Sequence, residues 1–130
     1  MGKQFVITSE ILLKVEYDLW EDGEDKYFFD YDSYEIRPKD EMVEGSYTIP
    51  LVHFSQVTVM KDFIASMNNR KLIEEFRSLS DKETWSRFWI HFDDDGPLSS
   101  RWHEFDENYR KKRITDWCEN NGISFRMDLK

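Results

Sequence analysis

Aromatic side chains at helical spacing limit the possible folds of this chain more than any other feature. The spacing i, i+3, i+4 and i+7 places side chains on one face of a helix, and here it is occupied by Trp85, Phe88, Trp89 and Phe92. Just before this stretch, Ser80 and Glu83 have the spacing of a capping box, which satisfies free N–H groups at a helix start. The sequence therefore predicts a packed domain around a helix that begins after Ser80.

Three further helices are predicted before this aromatic helix. The first is expected to be capped by Thr8 or Ser9 and to stop near Gly23, because Gly suits the left-handed end of a helix. Apolar side chains at helical spacing predict two more, over residues 57–67 and 72–79.

The C-terminal part of the chain predicts one more helix. A short turn is expected to carry Trp102 and Phe105, and Asp106 is expected to cap a helix that stops at Asn121-Gly122. The apolar face of this helix would consist of Ile114, Trp117 and Cys118.

The strand signals lie mainly in the first half of the chain. Residues 26–29 and 34–37 flank a polar turn at 30–33, which is typical of a hairpin, and residues 46–49 offer a third strand. Residues 123–129 alternate apolar and polar side chains, so a half-buried strand that joins the hairpin sheet is predicted.

These elements predict an α+β fold in a single compact domain spanning residues 1–130. Its parts would be an N-terminal helix, a small antiparallel β-hairpin or meander joined by a C-terminal strand, and a helical C-terminal half packed against them. Hydrophobic residues make up 39% and aromatic residues 16% of the chain, which is enough for a core without disulfides. No apolar run reaches the roughly 20 residues of a membrane span. A cytoplasmic protein without a cofactor is predicted.

The negative charge is concentrated in one region. Residues 18–44 contain eleven acids and three bases, whereas the other 103 residues contain sixteen acids and fifteen bases. Such a field repels nucleic acid and attracts basic partners, although acidic surface also serves solubility. The leading hypothesis is a non-enzymatic interaction module whose acidic hairpin (Glu21 to Glu44) binds a basic protein. Its candidate binding residues are Glu21, Asp22, Glu24, Asp25, Asp30, Asp32 and Glu35.

The alternative hypothesis is a small enzyme or ligand-binding protein. It requires a cleft in which several polar side chains converge. The candidate residues are His53, His91, His103, Arg87 and Arg101, of which Arg87, Arg101 and His103 are the primary ligand-binding candidates.

Direct nucleic-acid binding is not favoured by the basic run Arg110–Arg113. Four consecutive residues fan around a helix axis, and Asp106, Glu107 and Asp116 stand four residues from bases of the run. These bases are therefore expected to form ion pairs within their own helix.

No catalytic or metal-binding residue is predicted. Residues 93–96 resemble part of a calcium loop, but that register puts His91 first and Trp102 twelfth, where an acid and a Glu are required. A nucleophilic pair of Cys118 and His103 is conceivable. Cys118 lies on an apolar helix face, however, and a buried structural thiol is the favoured interpretation.

Several segments together resemble a small bacterial family, uncharacterised protein family 0158. They are Ile49-Pro50, Met60-Lys61-Asp62-Phe63-Ile64, Arg101-Trp102-His103-Glu104-Phe105 and Trp117-Cys118-Glu119-Asn120-Asn121-Gly122-Ile123. The resemblance implies a starting helix and hairpin, a bacterial cytoplasmic origin and no assigned activity or site.

Two positions depart from the pattern of this family. Tyr34 stands in the hairpin turn where members tend to have Gly, and Tyr rarely takes a positive φ. Residues 81–84 replace a Gly-rich step before the aromatic helix, so no backbone contact to a ligand is carried over to them.

Overall fold

The computed structural model describes residues 2–17, 24–92 and 98–129, and these residues form an α+β fold. The predicted fold class is thus confirmed. In chain order the elements are β1 (Phe5–Thr8), α1 (Ser9–Lys14), β2 (Glu16–Tyr17), β3 (Tyr27–Asp30), β4 (Glu35–Pro38), a 3₁₀ helix (Lys39–Glu41), β5 (Thr48–Pro50), β6 (Phe54–Ser55), α2 (Gln56–Ser66), α3 (Arg70–Arg77), α4 (Asp81–His91), α5 (Ser99–Asn120) and β7 (Phe125–Asp128). Within the described ranges, no helix has the length and apolar character needed to cross a membrane.

The aromatic helix α4 begins with the predicted capping box. The Glu83 N–H donates to the Ser80 hydroxyl oxygen, and the Ser80 N–H donates to the Glu83 carboxylate, both at 3.2 Å. Two free donors at the helix start are therefore satisfied reciprocally, which explains why α4 begins at this point.

The core is built around the rings of α4. Phe88 packs against Trp102 of α5 and Phe63 of α2, with ring centroids 4.7 Å and 6.3 Å away. Both neighbours are buried, so three helices share one aromatic cluster. In the predicted stripe, the fully buried rings are Phe88 and Phe92, and the half-buried rings are Trp85 and Trp89.

Helix α1 is shorter than the sequence pattern predicts. It is capped by Thr8 as expected, but it ends at Lys14, and Glu16-Tyr17 form a strand paired with Phe54-Ser55. Val15 is fully buried although it lies outside the helix. The apolar spacing therefore predicted the burial of Val15 correctly but not the length of the helix. The predicted stop at Gly23 lies outside the described residues.

The last helix begins earlier than predicted. Helix α5 runs without interruption from Ser99 to Asn120, so the short turn predicted at Trp102 and Phe105 is wrong. Asp106 is buried within the helix and pairs with Arg110 instead of capping a helix start. The predicted stop is confirmed, since Gly122 follows the helix with φ of 66°.

The C-terminal strand is present, but it does not join the hairpin sheet. Strand β7 pairs with β1 in parallel, whereas β3, β4 and β5 form a separate antiparallel sheet in the order β4-β3-β5. The long α5 carries the chain end back to β1, where the Phe5 N–H donates to the Ser124 carbonyl at 2.8 Å. The predicted alternation is also incomplete, because Met127 is exposed.

The hairpin contacts the end of α5 through two tyrosines. The Tyr31 hydroxyl donates to the Asn121 carbonyl at 3.0 Å, and the Ser124 N–H donates to the Tyr34 hydroxyl at 3.1 Å. Tyr34 adopts φ of 59°, a conformation that is costly for a bulky residue. Its ring packs edge-on against Phe29 at 5.0 Å, so side-chain contacts keep a Tyr where a Gly is the usual residue.

Candidate functional site

Several acids of the acidic hairpin are paired within the fold. The Glu24 carboxylate lies 3.6 Å from the Lys39 ammonium, and the Asp25 carboxylate lies 2.8 Å from the His53 ring nitrogen. Such surface pairs contribute little stability. They do, however, reduce the charge that these acids present to a partner.

Asp30 is a structural residue, and its prediction as a partner-binding residue is wrong. Its side chain is buried, accepts hydrogen bonds from the N–H groups of Asp32 and Ser33 at 2.8 and 3.3 Å, and pairs with Arg37 at 3.2 Å. Burial by itself would raise the pKa of Asp30, but these hydrogen bonds and the guanidinium charge hold its pKa below the ordinary value. Asp30 therefore stabilises the hairpin turn.

Replacing Asp30 by Asn is expected to destabilise the protein at neutral pH. Because the folded pKa is depressed, the carboxylate stabilises the folded state above the unfolded pKa, and this stabilisation is lost as pH falls through the folded pKa. The difference between wild type and Asp30→Asn should therefore shrink below the ordinary value of 3.8. Thermal midpoints measured against pH test this. Asp32→Asn in the same turn is the exposed control, and a gap that is constant with pH contradicts the assignment.

The remaining predicted binding acids divide into two groups. Asp32 and Glu35 are exposed at the tip of the hairpin, where the Asp32 carbonyl accepts a hydrogen bond from Lys3 and Glu35 lies 4.0 Å from Arg37. Glu21 and Asp22 lie outside the described residues.

Apart from Asp32, the acids without an ion pair in the described part of the acidic hairpin lie farther along the chain, in a stretch that we call the docking segment (Asp40–Tyr47). Its carboxylates are all exposed, and none pairs with a residue of the described chain. Large apolar side chains that are also exposed lie between and after these acids. The acids are Asp40, Glu41 and Glu44, and the apolar residues are Met42, Val43 and Tyr47.

The docking segment has a defined backbone conformation. A turn over residues 43–46 is closed by the Ser46 N–H, which donates to the Val43 carbonyl at 3.2 Å, and Gly45 adopts the positive φ of 85° within this turn. The Tyr47 ring packs edge-on against Tyr31 at 5.0 Å, and the Tyr31 N–H donates to the Tyr47 carbonyl at 3.0 Å. The exposed side chains are therefore presented from a backbone anchored to the hairpin.

A hollow with a volume of about 770 Å³ borders the start of the docking segment. Three carboxylates (Glu24, Asp25 and Asp40) and two lysines (Lys26 and Lys39) contribute to its lining. Glu24 and Asp25 are paired with Lys39 and His53, so the excess negative charge at this hollow comes from Asp40 of the docking segment itself.

Two histidines of the alternative ligand site are bonded to different carboxylates. His53 pairs with Asp25 beside the hairpin, whereas His91, at the end of α4, pairs with Glu75 of α3 at 2.6 Å. Neither histidine lines the hollow beside the docking segment or the smaller hollow between α2 and α5.

The other candidates of the alternative site lie exposed on two helices. Arg87 is on α4, and Arg101 and His103 are on α5. Arg101 alone of the predicted set lines a described hollow, together with Ser66 and Glu104. The contacts therefore do not support a single cleft made from all five predicted residues, and Arg101 is the one that the structure places in a concave site.

The basic run on α5 is paired as predicted. Arg110 lies 3.6 Å from Asp106, Lys111 lies 3.5 Å from Glu107, and Lys112 lies 3.2 Å from Asp116. The Arg113 guanidinium lies over the Phe54 ring at 4.9 Å. All four cations thus have contacts within the fold, which argues against a nucleic-acid site at this run.

Cys118 is not placed for nucleophilic chemistry. Its side chain is fully buried, and burial together with the nearby Glu119 charge raises its pKa to about 12. The thiolate, which is the reactive form, is therefore scarce at neutral pH, and Cys118 serves as a small apolar core residue as predicted. Within the described residues, no group of His, Cys, Asp or Glu is arranged to hold a metal ion.

Comparison of the chain with known protein families, curated proteins and solved structures found no match. The resemblance to family 0158 stays a prediction from the segments quoted above.

Proposed function

We propose that this protein is a non-enzymatic interaction module that binds a basic protein segment through the docking segment. The observation that carries the proposal is the mixture of exposed apolar side chains and acids without ion pairs in one short, anchored stretch. As part of the same proposal, the protein acts in a bacterial cytoplasm, where its single thiol stays reduced.

The apolar residues would supply most of the binding energy. Tyr47 is 66% exposed, and tyrosine is enriched among residues that dominate protein interfaces, because it buries a large rigid ring at low entropic cost. Met42 and Val43 extend the apolar surface beside it. A partner therefore needs an apolar side chain or a pocket that covers the Tyr47 ring.

The acids would determine which partners approach. Asp40, Glu41 and Glu44 create a negative rim around the apolar side chains. Rim charges speed the association of oppositely charged partners and repel those of like charge. The fitting partner is thus a segment with Lys or Arg on both sides of an aromatic or aliphatic residue.

Selection from a random peptide display library against the full chain tests this proposal. We expect wild type to enrich peptides that combine Lys or Arg with aromatic or aliphatic residues. Affinity for a synthesised enriched peptide should fall between low and high salt, because exposed charges are screened within about 10 Å at 0.1 M salt. The variants Tyr47→Ser and Asp40→Asn/Glu41→Gln/Glu44→Gln should each lose this peptide.

Leu13→Ser is the matched control for Tyr47→Ser, because Leu13 is 68% exposed but lies on α1. It should leave peptide binding unchanged. The proposal fails if the enriched peptides lack basic residues, or if wild type and both docking-segment variants bind them equally.

A further inference from the structure

A second concave surface lies between α2 and α5, away from the docking segment. This α2–α5 hollow has a volume of about 230 Å³. The half-buried Phe105 contributes an apolar wall, and its ring packs against the buried Phe63 ring with centroids 5.2 Å apart. The polar residues of its lining are Ser66, Arg101, Glu104 and Asn108.

The polar side chains from α5 are positioned by helical periodicity. Arg101, Glu104 and Asn108 stand at i, i+3 and i+7 and therefore share one face of the helix. None of the three forms a hydrogen bond or ion pair with any part of the chain that the structure describes. Elsewhere on α5, by contrast, the charged pairs Arg110–Asp106, Lys111–Glu107 and Lys112–Asp116 are formed.

The helix ends at this hollow favour a defined arrangement of charge. Arg101 lies in the first turn of α5, whose cap residue Leu98 provides no side-chain hydrogen bond. The positive end of the helix dipole therefore adds to the Arg101 charge and favours an anion. Ser66 is the last residue of α2, so the negative end of that dipole favours a cation on the opposite wall.

We propose that the α2–α5 hollow binds a small zwitterion of the free α-amino-acid class, with its carboxylate on Arg101 and its ammonium on Glu104. The guanidinium can hold a carboxylate through two parallel hydrogen bonds. The Glu104 carboxylate accepts from the ammonium, and the Asn108 amide is available to both groups. An apolar amino-acid side chain lies against the half-buried Phe105 ring.

This inference is independent of the proposed interaction function. The Ser66 hydroxyl already donates to the Phe63 carbonyl at 2.6 Å, so its oxygen is left as an acceptor for the ligand ammonium. An α-amino acid carries its carboxylate and its ammonium on the same carbon, so the two groups can face a neighbouring cationic and anionic side chain.

Isothermal titration of the full chain with L-leucine, L-methionine, L-phenylalanine and glycine tests the inference. We expect saturable binding of at least one of the three apolar amino acids and weaker binding of glycine, which lacks a side chain to cover the Phe105 ring. Leucinamide and N-acetyl-leucine each lack one of the two charges. Both should bind roughly tenfold more weakly than leucine, because each forfeits a charge-assisted hydrogen bond.

Variants separate this site from nonspecific binding. Arg101→Gln and Glu104→Gln should each weaken binding by roughly tenfold or more. Arg87→Gln, which changes an exposed arginine of α4 outside the hollow, should leave affinity unchanged. The inference is overturned if none of the four amino acids gives saturable heat at millimolar concentration, or if binding survives both hollow variants. Tyr47→Ser should not alter amino-acid binding, so failure of one proposal is distinguishable from failure of the other.

Discussion

Replacing Arg110 by methionine is expected to lower the free energy of unfolding by about 3–5 kcal/mol, the usual cost of removing one partner from a buried ion pair. Arg110 lies between two carboxylates, 3.7 Å from Glu16 and 3.6 Å from Asp106. The Arg110 side chain is 15% exposed, that of Glu16 is 6% exposed and that of Asp106 is 11% exposed. Methionine fills a similar volume but leaves two carboxylates buried without their shared cation.

The position of Arg110 explains why the effect should extend beyond one helix. Its guanidinium also donates to the Leu12 carbonyl at 3.4 Å, at the C-terminal part of α1. Glu16 belongs to β2, which pairs with β6 immediately before α2. Loss of Arg110 therefore weakens the attachment of the N-terminal elements to α5.

Urea unfolding followed by circular dichroism measures the change, since the linear dependence on denaturant gives the free energy of unfolding. Lys112→Met is the matched control, because Lys112 also pairs with an aspartate four residues away, Asp116, but in solvent. It should cost at most about 0.5 kcal/mol. The double variant Arg110→Met/Asp106→Asn should recover part of the loss. An Arg110→Met protein as stable as Lys112→Met would contradict the assigned role.

The helices that the sequence predicts best are those whose boundaries depend on local chemistry. The capping box at Ser80 and Glu83 and the aromatic spacing of α4 act within a few residues, so the pattern indicates them directly. Asp106 shows the limit of this approach. An aspartate before a helical stretch can cap the helix, or it can pair with a base one turn later. Asp106 pairs with Arg110, which also lies beside Glu16, a residue far away in the sequence.

The strand partners could not be predicted because they depend on contacts far apart in sequence. Alternation in residues 123–129 predicts a strand but not the strand that it pairs with. The parallel pairing of β7 with β1 requires α5 to cross the molecule first, and the sequence predicted no strand at β1. Tyr34 is similar, since its positive φ is compensated by contacts with Phe29 and Ser124 that no local pattern encodes.

The sequence predicted the negative charge of the candidate surface, but it did not predict which of its acids are exposed and without an ion pair. A count over residues 18–44 cannot show that Asp30 is buried or that Asp25 is bonded to His53. One signal in the sequence could have indicated the docking segment. Between Asp40 and Tyr47, large apolar residues stand among acids without helical or alternating periodicity, which is unusual for residues that are to be buried.

The second large effect is expected from Phe88→Ala, which should lower the free energy of unfolding by about 3–5 kcal/mol. Phe88 is fully buried, and its ring centroid lies 4.5 Å from that of Phe92 and 4.7 Å from that of Trp102. Alanine leaves a cavity that three packed helices cannot easily close. Phe88→Ala should also weaken amino-acid binding at the α2–α5 hollow indirectly, because the Phe88 ring packs against Phe63, which borders that hollow.

Ile90→Ala provides the control on the same helix. Ile90 is 78% exposed, two residues after Phe88, and alanine favours helix formation more than isoleucine by a few tenths of a kcal/mol. Its unfolding free energy should therefore change by no more than about 0.5 kcal/mol in either direction. The ratio of the two effects tests whether the rings of α4 face the interior. Equal losses for both variants would mean that helix α4 is rotated about its axis. The aromatic cluster would then have to be reassigned. The position of α5 depends on this cluster, and so does the α2–α5 hollow.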